Sequence, residues 1–114
     1  MFDVAIIDLK TSNIKSVVGA CKKAKLKFIL TSKPSDLRKS KSIILPGVGS
    51  FKSSMKYLGK KKLINPIKSF FKSGKPILGI CLGMQLFFKK SLEFGSTAGL
   101  NIINSKVKKF PNKK

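Results

Sequence analysis

A chain of 114 residues with 25 Lys and Arg side chains against 4 Asp and Glu carries a formal charge of +21. With 42% hydrophobic residues it is too apolar for a disordered basic tail, and it is long enough to bury the core of one domain. The absence of histidine excludes any mechanism in which this sequence alone supplies a histidine base or metal ligand. No apolar run reaches the roughly 18 residues of a membrane span. Met1-Phe2-Asp3 opens the chain without the basic segment of a secretory leader. Two cysteines, Cys21 and Cys81, make neither a disulfide framework nor a zinc site, which points to a reducing cytoplasm.

The first apolar run, Val4-Ala5-Ile6-Ile7, reads as a strand. From Asn13 to Lys25 the residues Ile14, Val17, Val18 and Cys21 recur at helical spacing, with Lys15, Lys22 and Lys23 on the opposite face. Cys21 therefore belongs to a core-facing stripe. Lys27-Phe28-Ile29-Leu30 is a second strand, Pro34–Lys39 a short helix, and Ser42-Ile43-Ile44-Leu45 a third strand. A helix follows from about Ser50 to Tyr57 and is expected to break near Gly59. Another runs from Leu63 to Lys72, with Pro66 tolerated in its first turn. Gly74-Lys75-Pro76 stops it and feeds the strand Ile77-Leu78-Gly79-Ile80. Continuous apolar strands alternating with amphipathic helices predict an α/β fold, a doubly wound parallel sheet with helices on both faces. Leu100–Ile103 and Lys106–Phe110 read as a closing β-hairpin around Asn104-Ser105. With no linker and no internal repeat, residues 1–114 form a single domain, and the hairpin ending leaves the sheet looking truncated.

Two segments at strand ends carry chemistry. Gly79-Ile80-Cys81-Leu82-Gly83-Met84-Gln85 has the G-x-C-x-G spacing of a nucleophile elbow, followed by the apolar helical pattern of Leu82, Leu86, Phe87 and Phe88. The turn is so tight that bulky neighbours would clash, and the thiol is thrust out at the carboxyl end of the sheet. A helix beginning there would favour thiolate and would leave the Leu82 N–H aimed at a developing oxyanion. Leu45-Pro46-Gly47-Val48-Gly49-Ser50-Phe51 also follows a strand, and its glycines let backbone N–H groups approach a ligand. Both loops leave the carboxyl ends of parallel strands, where open α/β sheets bind ligands.

Together the two segments resemble the triad class I glutamine amidotransferases and, among them, the glutaminase subunits of imidazole glycerol phosphate synthases. Ile6-Ile7-Asp8, Asn13-Ile14-Lys15-Ser16-Val17, Gly99-Leu100 and Val107 extend the resemblance over nearly the whole chain. The resemblance implies that Cys81 attacks the side-chain amide of glutamine, giving a γ-glutamyl thioester and ammonia. It implies an oxyanion hole from Leu82 and the backbone of Gly47 and Val48, and substrate contacts from Gly49 and Gln85. It places Asn13 at the mouth facing a cyclase subunit, the protein partner that receives ammonia in histidine biosynthesis. It implies no cofactor and no metal. The histidine and glutamate of the family's Cys-His-Glu triad lie beyond the matched part, so the chain by itself is expected to be inactive. The interval Leu9-Lys10-Thr11-Ser12 lacks the family's glycines, so a left-handed turn there would be strained or reshaped.

Two other functions share some of these features. A paralogous subunit that delivers ammonia to surface-sugar synthesis would carry the same motifs. A non-enzymatic, Lys-rich polyanion-binding module would explain the charge. Against a nucleic-acid partner stand the spread of the lysines, a single arginine (Arg38), and aromatic pairs that sit within apolar patterns. Asp8 reads as a solvated or capping carboxylate, and Glu93 and Asp36 are too isolated to form an acid/base pair.

Overall fold

Four of the apolar runs become neighbouring strands because burial on both faces suits a parallel sheet. The computed structural model describes residues 1–10 and 14–109. Its main sheet has the strands β1 (Val4–Ile7), β2 (Phe28–Thr31), β3 (Ile43–Gly47) and β4 (Ile77–Cys81), in the order β2-β1-β3-β4 and all parallel. The order reverses between β1 and β3, which makes their carboxyl ends the topological switch point. This is the α/β fold with helices on both faces that the sequence predicts.

Alternation along β1 separates two cores. Val4 and Ile6 point to one side with Cys21, where Ile14, Val17 and Val18 of helix α1 (Ile14–Lys23) pack against them. Ala5 and Ile7 point to the other side, which is covered by α2 (Pro34–Arg38), α3 (Phe51–Lys60) and α4 (Ile64–Lys72). Leu37, Leu58 and Ile67 from those helices, with Leu63 just before α4, are fully buried there. Ser50 caps α3, its hydroxyl oxygen accepting from the Ser53 N–H at 3.2 Å. The predicted break near Gly59 falls one residue beyond it, where α3 ends at Lys60, and Met55 and Leu58 anchor the preceding turns to the core.

The chain end differs from its sequence reading. No hairpin forms around Asn104-Ser105; β7 (Ile103–Val107) runs straight through both residues. It pairs in parallel with β5 (Phe88–Ser91), which also pairs antiparallel with β6 (Thr97–Ala98) in a small mixed sheet. The reversal sits instead between β5 and β6, where Gly95 adopts φ +82. Main-chain hydrogen bonding offered by β5 decides the conformation of β7, whose side chains are mostly exposed.

Among the described residues β4 is an edge strand. Beside α1, its Leu78 and Ile80 join Ile44, Val17, Ala20 and Leu26 around an apolar groove of about 470 Å³. Leu78 remains 55% exposed. Lysine repulsion opposes association at low ionic strength, and salt screens it over about 10 Å at 0.1 M. Light scattering of the chain is therefore expected to rise as salt is added, and Leu78→Ser is expected to reduce that rise. Equal scattering by both proteins would show that this edge is not the sticky surface.

Candidate active site

The register of the last two parallel strands sets the site. Gly47 at the end of β3 lies directly opposite Cys81 at the end of β4. Pro46 fits inside β3 because β1 pairs β3 only at Ile43 and Ile44, so the missing N–H costs no ladder bond on that side. Cys81 ends its strand at φ 54 and ψ −122, a strained conformation for a residue with a Cβ, and its side chain is exposed. The strand-to-helix turn and the thiol at its tip form the elbow geometry.

Two glycines make the turn possible. A Cβ on Gly79 would lie 2.6 Å from the Met84 Cα and from the Phe87 ring. A Cβ on Gly83 would overlap the Leu45 carbonyl oxygen. The short helix α5 (Leu82–Gln85) can therefore press its backbone onto the end of β3, with Gly83 N about 3.2 Å from where a Gly47 Cβ would stand. Leu82 and Gly83 are buried there, while Gln85 is half-buried at the last position of α5. Neither the Val48 nor the Leu82 N–H donates to a carbonyl among the described turn and loop hydrogen bonds. The long helix expected after Cys81 is absent. Leu86 and Phe87 turn into the core and Phe88 opens β5, so α5 is a single turn with little dipole to offer the thiol.

Gly49 takes φ +97 in open space and borders a small groove of about 170 Å³ with Ser50, Lys52, Ser91 and Glu93. Glu93 lines this groove and is a neighbour that sequence reasoning passed over, because no second carboxylate lies near it in the chain. Its distinguishing mark is that it is the only acidic residue after Asp36. The structure carries it to Gly49 through β5 and the turn that follows. Among the described residues its carboxylate has neither a hydrogen bond nor an ion pair.

Asp8 closes a local turn after β1, its Oδ1 accepting from the Lys10 N–H at 2.8 Å and its Oδ2 lying 3.4 Å from Lys10 Nζ. Among the described residues of that glycine-free loop, Lys10 takes a left-handed φ of 61. Asn13 lies outside the described residues. Cys21 is 3% exposed in the α1 core, and burial pushes its thiol pKa up. No group of three or more His, Cys, Asp and Glu that could hold a metal ion occurs among the described residues. Among those residues no helix is long and apolar enough to cross a membrane.

An elbow cysteine thus faces a glycine loop at the carboxyl ends of the parallel sheet. Residues 5–113 match the family model for class I glutamine amidotransferases, and the chain belongs to that family. A crystal structure of a glutamine amidotransferase superimposes with a TM-score of 0.79 at 18% identity, covering 93% of this chain and 56% of that one. Closer in sequence is the imidazole glycerol phosphate synthase subunit HisH of Lacticaseibacillus casei (strain BL23), 43% identical over 108 residues, covering 95% of this chain and 52% of that protein. The HisH subunit of Sulfurimonas denitrificans is 42% identical over 111 residues, covering 97% of this chain and 54% of that protein. The chain thus spans about half the length of these curated relatives.

Two outcomes test this geometry. Native alkylation at neutral pH is expected to label Cys81 and spare Cys21 until the fold is opened, with peptide mass spectrometry as the readout. Gly83→Ala is expected to lose about 3 kcal/mol of stability in urea unfolding, because a backbone carbonyl cannot retreat as a side chain can. Gly49→Ala has room for its methyl and is expected to lose about 1 kcal/mol, from the positive φ alone.

Proposed function

We propose that residues 1–114 form the thiol-bearing part of a single glutaminase domain of imidazole glycerol phosphate synthase. The observation that carries this reading is the strained, exposed Cys81 set in register opposite Gly47. In this reading the Cys81 thiolate adds to the side-chain amide carbon of glutamine. The carbonyl oxygen takes up the negative charge, and Leu82 N–H with the backbone around Gly47 and Val48 donates to it. Collapse of that adduct breaks the C–N bond, leaving a γ-glutamyl thioester and an amine that departs as ammonia once protonated. Water then releases glutamate and restores the thiol.

Gly49 and Gln85 hold the amino acid in this scheme. The unpaired Glu93 carboxylate beside Gly49 suits the substrate's α-ammonium, the one cationic group on glutamine. Asn13 faces the cyclase subunit that consumes ammonia, in a histidine-producing reaction sequence in the cytoplasm. The sequence holds no histidine, so no imidazole of residues 1–114 protonates the leaving ammonia or activates the deacylating water.

The chain is therefore expected to capture a glutamine-shaped electrophile without turning over glutamine. Treatment with a glutamine chloromethyl ketone should add one label at Cys81, and Cys81→Ala should abolish it. Glu93→Gln should slow labelling about tenfold, because one charge-assisted contact is lost. Labelling of wild type and Cys81→Ala at equal rates would defeat the reading. So would labelling that is indifferent to competing glutamine.

A further inference from the structure

A cavity of about 500 Å³ lies far from this chemistry, at the amino ends of β3 and β4. Its floor comes from Leu37 and Phe70, both buried, and its rim from Asn65, Ser69, Arg38 and Lys75. The volume falls within the range of small-molecule sites. No carboxylate lines it.

Two cations converge on the cavity without an anionic partner. Arg38 is the only arginine in a chain that uses lysine at every other basic position. Neither of the two ion pairs among the described residues involves Arg38 or Lys75. Asp36, the nearest acid in sequence, is engaged elsewhere, its Oδ2 accepting the hydroxyl hydrogen of Thr31. Lys75 is half-buried and held in place, its ammonium 5.2 Å from the centre of the Phe70 ring and 3.5 Å from the Ser40 carbonyl oxygen. A guanidinium fork, a fixed ammonium and two neutral side chains with donor groups around an apolar floor match a tetrahedral dianion attached to a compact body.

We propose that this α2–α4 cleft is a binding site for a small phosphomonoester, distinct from the Cys81 site and independent of its assigned reaction. Arg38 binds the phosphate through two parallel N–H donors, Lys75 adds a point charge, and Asn65 and Ser69 complete the donor set. Phe70 and Leu37 take the uncharged body of the ligand. A lysine-rich surface attracts anions anywhere, so the test must separate a shaped site from bulk charge.

Isothermal titration of the full chain at physiological salt with phenyl phosphate, inorganic phosphate and phenol makes that separation. Saturable binding at one site is expected for phenyl phosphate, weaker binding for inorganic phosphate, and none for phenol. Arg38→Gln and Lys75→Gln should each weaken phenyl phosphate binding about tenfold or more. Lys23→Gln, which removes the same charge from the distant end of α1, should leave it unchanged. Arg38→Lys keeps the charge and should still lose several-fold, because the fork is gone. Phenyl phosphate should also raise the melting temperature of wild type and not of Arg38→Gln. Unsaturable binding, or equal losses in Lys23→Gln and Arg38→Gln, would overturn the proposal in favour of diffuse attraction to the whole surface.

Discussion

The approach of Gly83 to the Leu45 carbonyl is the contact on which the site rests. It lets a single helical turn lie against the end of β3, which in turn fixes the direction in which the chain leaves β4. Cys81 must then bridge an extended strand and a helix within one residue, and φ 54 is the result. The strain at Cys81 is held by burial on either side, with Leu82 and Leu86 in the main core and Leu45 beneath them. A larger residue at position 83 would push α5 away and separate Leu82 from Gly47, so stability and chemistry depend on the same missing side chain.

Charge contributes little to holding this fold together. Only two ion pairs occur among the described residues, both with exposed lysines, and such pairs are worth about 0–1 kcal/mol. Three of the four carboxylates serve backbone order. Asp3 accepts the Lys27 N–H at 2.8 Å, tying the start of β1 to the approach of β2, Asp8 closes the loop after β1, and Asp36 holds Thr31 beside α2. Glu93 alone has no such task. In a molecule of charge +21, Glu93 is a carboxylate beside the Gly49 loop with no ion pair among the described residues.

The parallel sheet also divides the molecule into two ends with different chemistry. At the carboxyl ends, the Gly47–Gly49 loop and the exposed Cys81 thiol leave backbone groups uncovered. At the amino ends, Arg38 and Lys75 rim a cleft over Phe70 that suits an anion. Between them the two cores, one under α1 and one under α2 to α5, keep the strands in register.

The sequence by itself determined the four main strands, the helices between them and the two loops that meet at the site. Val4–Ile7 is a continuous apolar run, and local pattern suffices where both faces are buried. It also separated the two cysteines, since Cys21 sits in a helical stripe and Cys81 between glycines. Tertiary structure decided the rest. β7 passed through Asn104-Ser105 because β5 supplied a partner for its backbone. The place of Glu93 beside Gly49 was hidden for the same reason. Two residues far apart in the chain become neighbours only through strand pairing, and pairing is set by long-range hydrogen bonds that no local pattern encodes.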